Sequence, residues 1–188
     1  MEPVLPKLVE EACRTLQALA SQEDAFQKIA AAAVATLKSG GKILTCGNGG
    51  SAADAMHLAE ELVGHFRNHR PSLPAVSLVA DATLLTCIGN DYGFDQVFSR
   101  QVEGLANTND LLVCFSSSGN SPNILKALAA AKDKGVKSVA LLGKGGGQAR
   151  DKADLEIIVA NSDSGRVQEA HTLILHALLE VIEREITA

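Results

Sequence analysis

Five short apolar runs dictate the architecture of this chain. Lys42-Ile43-Leu44-Thr45-Cys46, Ala75-Val76-Ser77-Leu78-Val79, Leu111-Leu112-Val113-Cys114-Phe115, Ser138-Val139-Ala140-Leu141-Leu142 and Leu155-Glu156-Ile157-Ile158-Val159 are β-prone, and helical stretches fill most of the gaps between them. Apolar strands that alternate with helices need a parallel sheet covered on both faces. The expected fold class is therefore α/β, a three-layer αβα sandwich with a five-stranded parallel sheet. Residues 4 to 39 read as two helices with a break at Ser21-Gln22-Glu23-Asp24, where Ser21 can cap the second. An Ala-rich helix runs from the first glycine loop to about Phe66, another from Ser121 to about Lys134, and a last one from about Val167 to Glu185. The 188 residues suit a single domain, with N-terminal helices over about 4–39 and the sandwich and C-terminal helix over about 40–188.

Hydrophobic residues make up 46% and charged residues 21%, the balance of an ordinary globular protein. A net charge of −5 without a long basic run argues against a nucleic-acid backbone as partner. No apolar run reaches the ~18 residues that a bilayer span needs, and the first residues lack a basic start followed by an apolar stretch. A cytoplasmic location and no membrane partner are expected. Cys13, Cys46, Cys87 and Cys114 show no C-x-x-C spacing, and three of them lie in apolar segments, which reads as reduced core thiols rather than disulfides.

Ligands of open parallel sheets collect at the carboxyl ends of the strands. Two loops sit there. Ser116-Ser117-Ser118-Gly119-Asn120-Ser121-Pro122 follows the third strand, with Ser121 at a helix cap and Pro122 at the first helical position. Its serine hydroxyls, backbone N–H groups and the positive helix end suit a phosphate. Gly47-Asn48-Gly49-Gly50-Ser51 follows the first strand and also fits a dinucleotide fingerprint, with Asp81 as a possible ribose acceptor. Against that alternative, Asp81 lies further along than the roughly twenty residues usual for the acceptor. Gly143-Lys144-Gly145-Gly146-Gly147 reads as a flexible turn.

His57 and Glu61 lie four residues apart on the helix that leaves the glycine loop, the spacing of helical metal ligands and of acid/base pairs. Glu60 is expected to point elsewhere, and His65 and His69 to be exposed in a polar stretch. On the last helix Gln168, Glu169, His171 and His176 interrupt an apolar pattern. Gln168 and His176 are separated by about 12 Å of helical rise and roughly 80° of rotation. They can meet one ion only through extended side chains, an irregular first turn or a second subunit.

Cys46-Gly47-Asn48-Gly49-Gly50-Ser51, the run from Asp54 to Leu62 that carries His57 and Glu61, Gly89-Asn90-Asp91-Tyr92-Gly93-Phe94, Ser116-Ser117-Ser118-Gly119-Asn120-Ser121 and Arg166-Val167-Gln168-Glu169-Ala170-His171 together resemble the sugar isomerase (SIS) domain family, and within it the sedoheptulose 7-phosphate isomerases. The resemblance spans nearly the whole chain. It implies a flavodoxin-like sandwich, a homotetramer with active sites near subunit interfaces, and an aldose-ketose isomerase acting on a sugar phosphate. One zinc per subunit would be held by His57, Glu61, Gln168 and His176. Substrate contacts would come from Asn48, Gly49, Gly50, Ser51, Glu61, Asn90, Asp91, Ser116, Ser117, Ser118, Ser121 and Gln168. Glu61 is the expected carbon base and His176 its acid/base partner. The competing reading within the family is a noncatalytic tetramer that binds a replication initiator or a phosphosugar.

Overall fold

In the computed structural model, which describes residues 3–187, the five strands form one parallel sheet. They are β1 (Ile43–Gly47), β2 (Ala75–Ser77), β3 (Leu111–Ser116), β4 (Lys137–Leu142) and β5 (Leu155–Ile158), in the order β2-β1-β3-β4-β5. That is the flavodoxin-like order, and its direction of winding reverses between β1 and β3. Register pairs Cys46 with Cys114 and Gly47 with Phe115, so the loops that follow these two strands leave the sheet at the same height, side by side.

The helices are α1 (Leu5–Ala18), α2 (Glu23–Lys38), α3 (Gly50–Val63), α4 (Ala82–Asp91), α5 (Ser99–Leu105), α6 (Pro122–Asp133) and α7 (Ser164–Thr187). Alternate strand residues sort them into two layers, because successive side chains of a strand point to opposite faces. Ile43, Leu111, Val113, Phe115, Val139 and Leu141 pack with Ile29 and Ala33 of α2, Leu58 of α3 and Leu175 and Leu179 of α7. Leu44, Cys46, Leu112, Cys114, Ala140 and Leu142 pack with Ile88 of α4, Val102 of α5 and Ile124 and Leu128 of α6. Among the described residues no helix is long and apolar enough to cross a membrane.

Several local expectations are corrected. Gln22, not Ser21, stands at the cap position of α2, and the Ser21 hydroxyl instead donates to Ala18 O in the 3-10 turn Leu19–Gln22. The helix from the glycine loop stops at Val63, three residues short of Phe66, and β2 keeps only Ala75–Ser77, pairing with β1 alone. The glycines after β4 are not a loose turn: in the short 3-10 segment Lys144–Ala149 the chain kinks at Gly145, Gly146 and Gly147, all at positive φ and non-helical, and Gly146 is buried. All four cysteines are free, but Cys13 and Cys87 are exposed and only Cys46 and Cys114 are core thiols, their sulfurs 3.4 Å apart.

Candidate active site

The two loops at the switch point enclose a cavity of about 110 Å³ lined by Asn48, Ser51, Phe115, Ser116, Ser117, Ser118 and Ser121. Glycine is required on both walls. A Cβ on Gly47 would meet Ser51 O at 2.2 Å, and Gly119, at φ +64°, would meet Gly146 O at 1.9 Å. The serine loop is thus seated directly on the 3-10 segment, and Ala149 N donates to Gly119 O at 2.9 Å. Inside the loop Gly119 N donates to Ser116 Oγ and Asn120 N to Ser118 Oγ. Ser121 occupies the cap position of α6, yet its hydroxyl makes no capping bond there. Its side chain lines the cavity. Asn48 and Asn123 exchange amide hydrogen bonds of 2.8 and 2.9 Å, which clasps the glycine loop to the first turn of α6. Hydroxyls and the N-terminal ends of α3 and α6 surround this space, and no lysine or arginine lines it. Such a set could receive an anion such as a phosphoryl group through neutral donors and helix dipoles. Beyond Asn48 and Ser121 a wider groove of about 510 Å³ opens past Gly49, Phe94 and Asp95.

From the cavity, α3 and α7 run side by side in the same direction. A Cβ on Gly50 would lie 2.4 Å from Gln168 Nε2, Thr172 Oγ1 donates to Asp54 Oδ1 at 3.0 Å, and the rings of His57 and His176 lie 5.0 Å apart at 83°. Each step advances about one helical turn on both helices. His57 Nε2 also sits 3.4 Å from Glu61 Oε1. His57 thus touches Glu61 along α3 and His176 across the seam, while the close group of possible metal-ligand atoms takes in Glu60 and not His176, and Gln168 is seated against Gly50, about two turns nearer the cavity. Ligand atoms of His57, Glu60 and Glu61 lie within 4.8 Å of one another, so Glu60, although exposed as expected, does not point away from the pair. This donor set of imidazole nitrogen and carboxylate oxygens could hold a divalent metal ion.

Asp54, Arg70, Glu183 and Phe66 of this seam escaped sequence reasoning. Asp54, one turn before His57, is 7% exposed and its Oδ2 has no partner among the described residues. Burial raises its pKa, with the Thr172 hydroxyl and the His57 charge pulling the other way. The spacing of three residues from His57 was the available signal. Arg70 and Glu183 form a buried ion pair at 3.2 Å with side chains 1% and 3% exposed. Arg70 also donates to Glu61 O and Leu62 O, the open carbonyls at the end of α3. Glu183 accepts from the backbone N–H groups of Phe66, Arg67 and Asn68. Its pKa is lowered because these bonds and Arg70 outweigh burial, which alone would raise it. The pair straps residues 64–70 onto α7, where the Phe66 ring stacks on His176 with centroids 5.4 Å apart and planes at 21°.

Other expected residues lie elsewhere. Asn90 and Asp91 close α4, where the Asn90 amide donates to Asp91 Oδ1 at 2.7 Å. Asp91 borders a separate groove with Leu84, Cys87, Tyr92 and Arg100, so neither residue lines the serine cavity. Asp81 caps α4 by accepting from Thr83 N and Leu84 N, which explains it without a ribose. His65 and His69 are exposed, as expected. His171 is fully buried beneath the cavity wall against Phe115.

The SIS domain family pattern matches residues 8–143. This chain belongs to the SIS domain family. The SIS chain is 46% identical to the phosphoheptose isomerase of Aliarcobacter butzleri over 167 residues, 89% of this chain and 88% of that protein. It is 52% identical to the phosphoheptose isomerase of Geobacter metallireducens over 151 residues, 80% of each. The solved phosphoheptose isomerase of Neisseria gonorrhoeae matches the SIS fold with a TM-score of 0.89 at 39% identity, over 96% of this chain and 97% of that one. The Francisella tularensis enzyme gives the same TM-score at 37% identity, over 97% and 100%. The flavodoxin-like SIS fold inferred from sequence is the fold observed.

Proposed function

We propose that this SIS domain protein is a phosphoheptose isomerase that converts sedoheptulose 7-phosphate to D-glycero-D-manno-heptose 7-phosphate, for heptose nucleotide and surface-glycan synthesis. The observation that carries the reading is the meeting of the His57–Glu61 pair of α3 with His176 of α7, on a seam that begins at the serine cavity. The catalytic pair retained here favours an enzyme over a noncatalytic adapter. The match to phosphoheptose isomerases along most of the chain favours it over the dinucleotide reading.

Ketose-to-aldose conversion moves a proton from C1 to C2 while the oxygen protons are exchanged. The Glu61 carboxylate removes the C1 proton, the C–H electrons form the C1–C2 double bond, and the carbonyl oxygen at C2 gains a proton from the His176 imidazole. In the resulting enediol the O1 proton returns to the imidazole as the C1 carbonyl forms, and C2 is reprotonated from Glu61. Ser51, Ser116, Ser117, Ser118 and Ser121 hold the phosphate, with Asn48 and the backbone of Gly49 and Gly50 beside it. Gln168 reaches the sugar from the cavity end of the seam, while Asn90 and Asp91, which lie off the serine cavity in this protomer, are substrate contacts only by the family resemblance. His57, Glu61 and His176, with Gln168 as the family's fourth ligand, would hold one zinc per subunit. Bound zinc would polarise the substrate oxygens as a Lewis acid. The working unit is a homotetramer in the cytoplasm, with the exposed apolar residues Val4, Leu5 and Val9 of the N-terminal segment as part of the surface available for assembly.

Incubation with sedoheptulose 7-phosphate followed by NMR tests the reading: an aldose phosphate forms, formation stops with a chelator, and zinc restores it. Glu61→Gln and His176→Gln are each expected to lower turnover by about 10²–10⁴-fold, with the subunit count by light scattering unchanged. Absence of aldose from the unaltered protein, or near-normal turnover in either variant, overturns it.

A further inference from the structure

We infer that Phe66 is a positioning residue for His176, and that the buried Arg70–Glu183 pair exists to hold it there. The inference rests on the proposed isomerase reading for the role of His176, while the geometry stands independently.

An imidazole halfway down a helix can rotate about two side-chain bonds, so its plane must be fixed from outside. Two aromatic neighbours from outside α7, His57 of α3 and Phe66 just beyond it, do so. His57 meets the His176 ring edge-on at 83°, and Phe66 lies nearly parallel to it at 21°. Offset stacking and edge-to-face contact are the favoured geometries of aromatic pairs, so the two together restrict both tilt and swing of the ring. Phe66 belongs to a polar stretch after α3, and its half-buried ring packs on the core cluster that includes Leu175 and Leu179 of α7. It is held by Glu183, whose carboxylate gathers three consecutive backbone N–H groups beginning with Phe66 N at 3.0 Å. The cost of burying that carboxylate is offset by Arg70, which extends the same network to the carbonyl of Glu61. One buried ion pair thus fixes the backbone of the proposed base and the ring that supports its acid partner. Arg67 also lies over the Phe66 ring, its guanidinium 5.1 Å from the centroid, while it pairs with Glu180.

Outer-shell groups that fix the orientation of a metal-ligating histidine, usually by hydrogen bonds, commonly change metal affinity or activity by about 10–100-fold when removed, and a stacked ring that fixes the imidazole plane is expected to act in the same sense. The test compares Phe66→Leu, which keeps apolar bulk but loses the stacking face, with Phe66→Tyr, which keeps it. For each variant, kcat and KM are measured with sedoheptulose 7-phosphate, zinc affinity is measured by titrating chelator-treated protein, and melting temperature is measured by circular dichroism. The expected result for Phe66→Leu is a kcat lower by about tenfold or more with KM within about twofold, and zinc bound more weakly, while Phe66→Tyr restores both. Wild-type kcat and zinc affinity in Phe66→Leu overturn the inference. So does an equal loss in both variants, or a loss confined to KM, because each marks a structural effect unrelated to the His176 ring. Should the unaltered protein fail to isomerise the sugar, the proposed function falls, and the zinc titration still decides whether Phe66 sets His176.

Discussion

His171 shows how one side chain couples the site to acidity. It is completely buried in α7, with Nε2 3.4 Å from Leu142 O and Nδ1 without a partner among the described residues. Burial lowers its pKa from 6.5 to about 4, and the Leu142 carbonyl opposes this only weakly. The native state therefore keeps the ring neutral where the unfolded chain already binds a proton. Stability tracks protons bound by the unfolded state minus those bound by the native state, so it falls as pH drops from 6.5 towards 4. The full effect is about 3 kcal/mol. The carboxyls of Asp110 and Glu183, whose pKa values are lowered, lose their contribution only at still lower pH, and Asp54, with a raised pKa, acts in the opposite sense. Urea denaturation at pH 7, 5.5 and 4.5 should show this decline, and His171→Leu should flatten it. An unchanged slope in that variant would remove His171 as the cause. In sequence His171 and His176 looked alike, as polar breaks in an apolar helix. The burial of Val167, Ala170, Ile174 and Leu178 places His171 on the core stripe and leaves His176 off it, a distinction the helical period already contains.

At the level of elements, the serine loop is shaped by what lies behind it. Gly119 adopts a left-handed conformation and touches the 3-10 segment through its missing Cβ, so Gly119→Ala must both strain its backbone and displace the loop. The expected loss is at least about 2 kcal/mol of stability, together with weaker inhibition by inorganic phosphate. Wild-type phosphate inhibition in a folded Gly119→Ala protein would show that the loop does not need this seat. The loop was legible as a phosphate cradle from its serines, whereas its seat was not, because a glycine run reads as flexible until a partner packs against it. Likewise, the four-residue spacing of His57 and Glu61 announced their pairing within one helix. The register of α3 on α7, which brings His176 to them and leaves Gln168 beside Gly50, depends on packing between segments more than a hundred residues apart. Periodicity describes each helix alone. Phe66 and Asn123 were overlooked for the same reason, since both act through partners distant in the chain.

For the whole molecule, alternation of apolar runs with helices was enough to give the class of fold, because a strand buried on both faces leaves few other solutions. The strand order and the reversal between β1 and β3 are not written in any one segment, and the family resemblance supplied them. That central pair also carries the sulfur atoms of Cys46 and Cys114, facing each other in the fully buried layer beneath α6. The hydrogen bond between the thiols, and then burial, raise the pKa of Cys46 and make it a poor nucleophile. The molecule consequently contains its own stopwatch. An aromatic disulfide reagent added to native protein should release colour from Cys13 and Cys87 at once, then from the inner two only as fast as the sheet comes apart. Four equivalents appearing within the mixing time would mean that the middle of this protein opens far more readily than its packing implies.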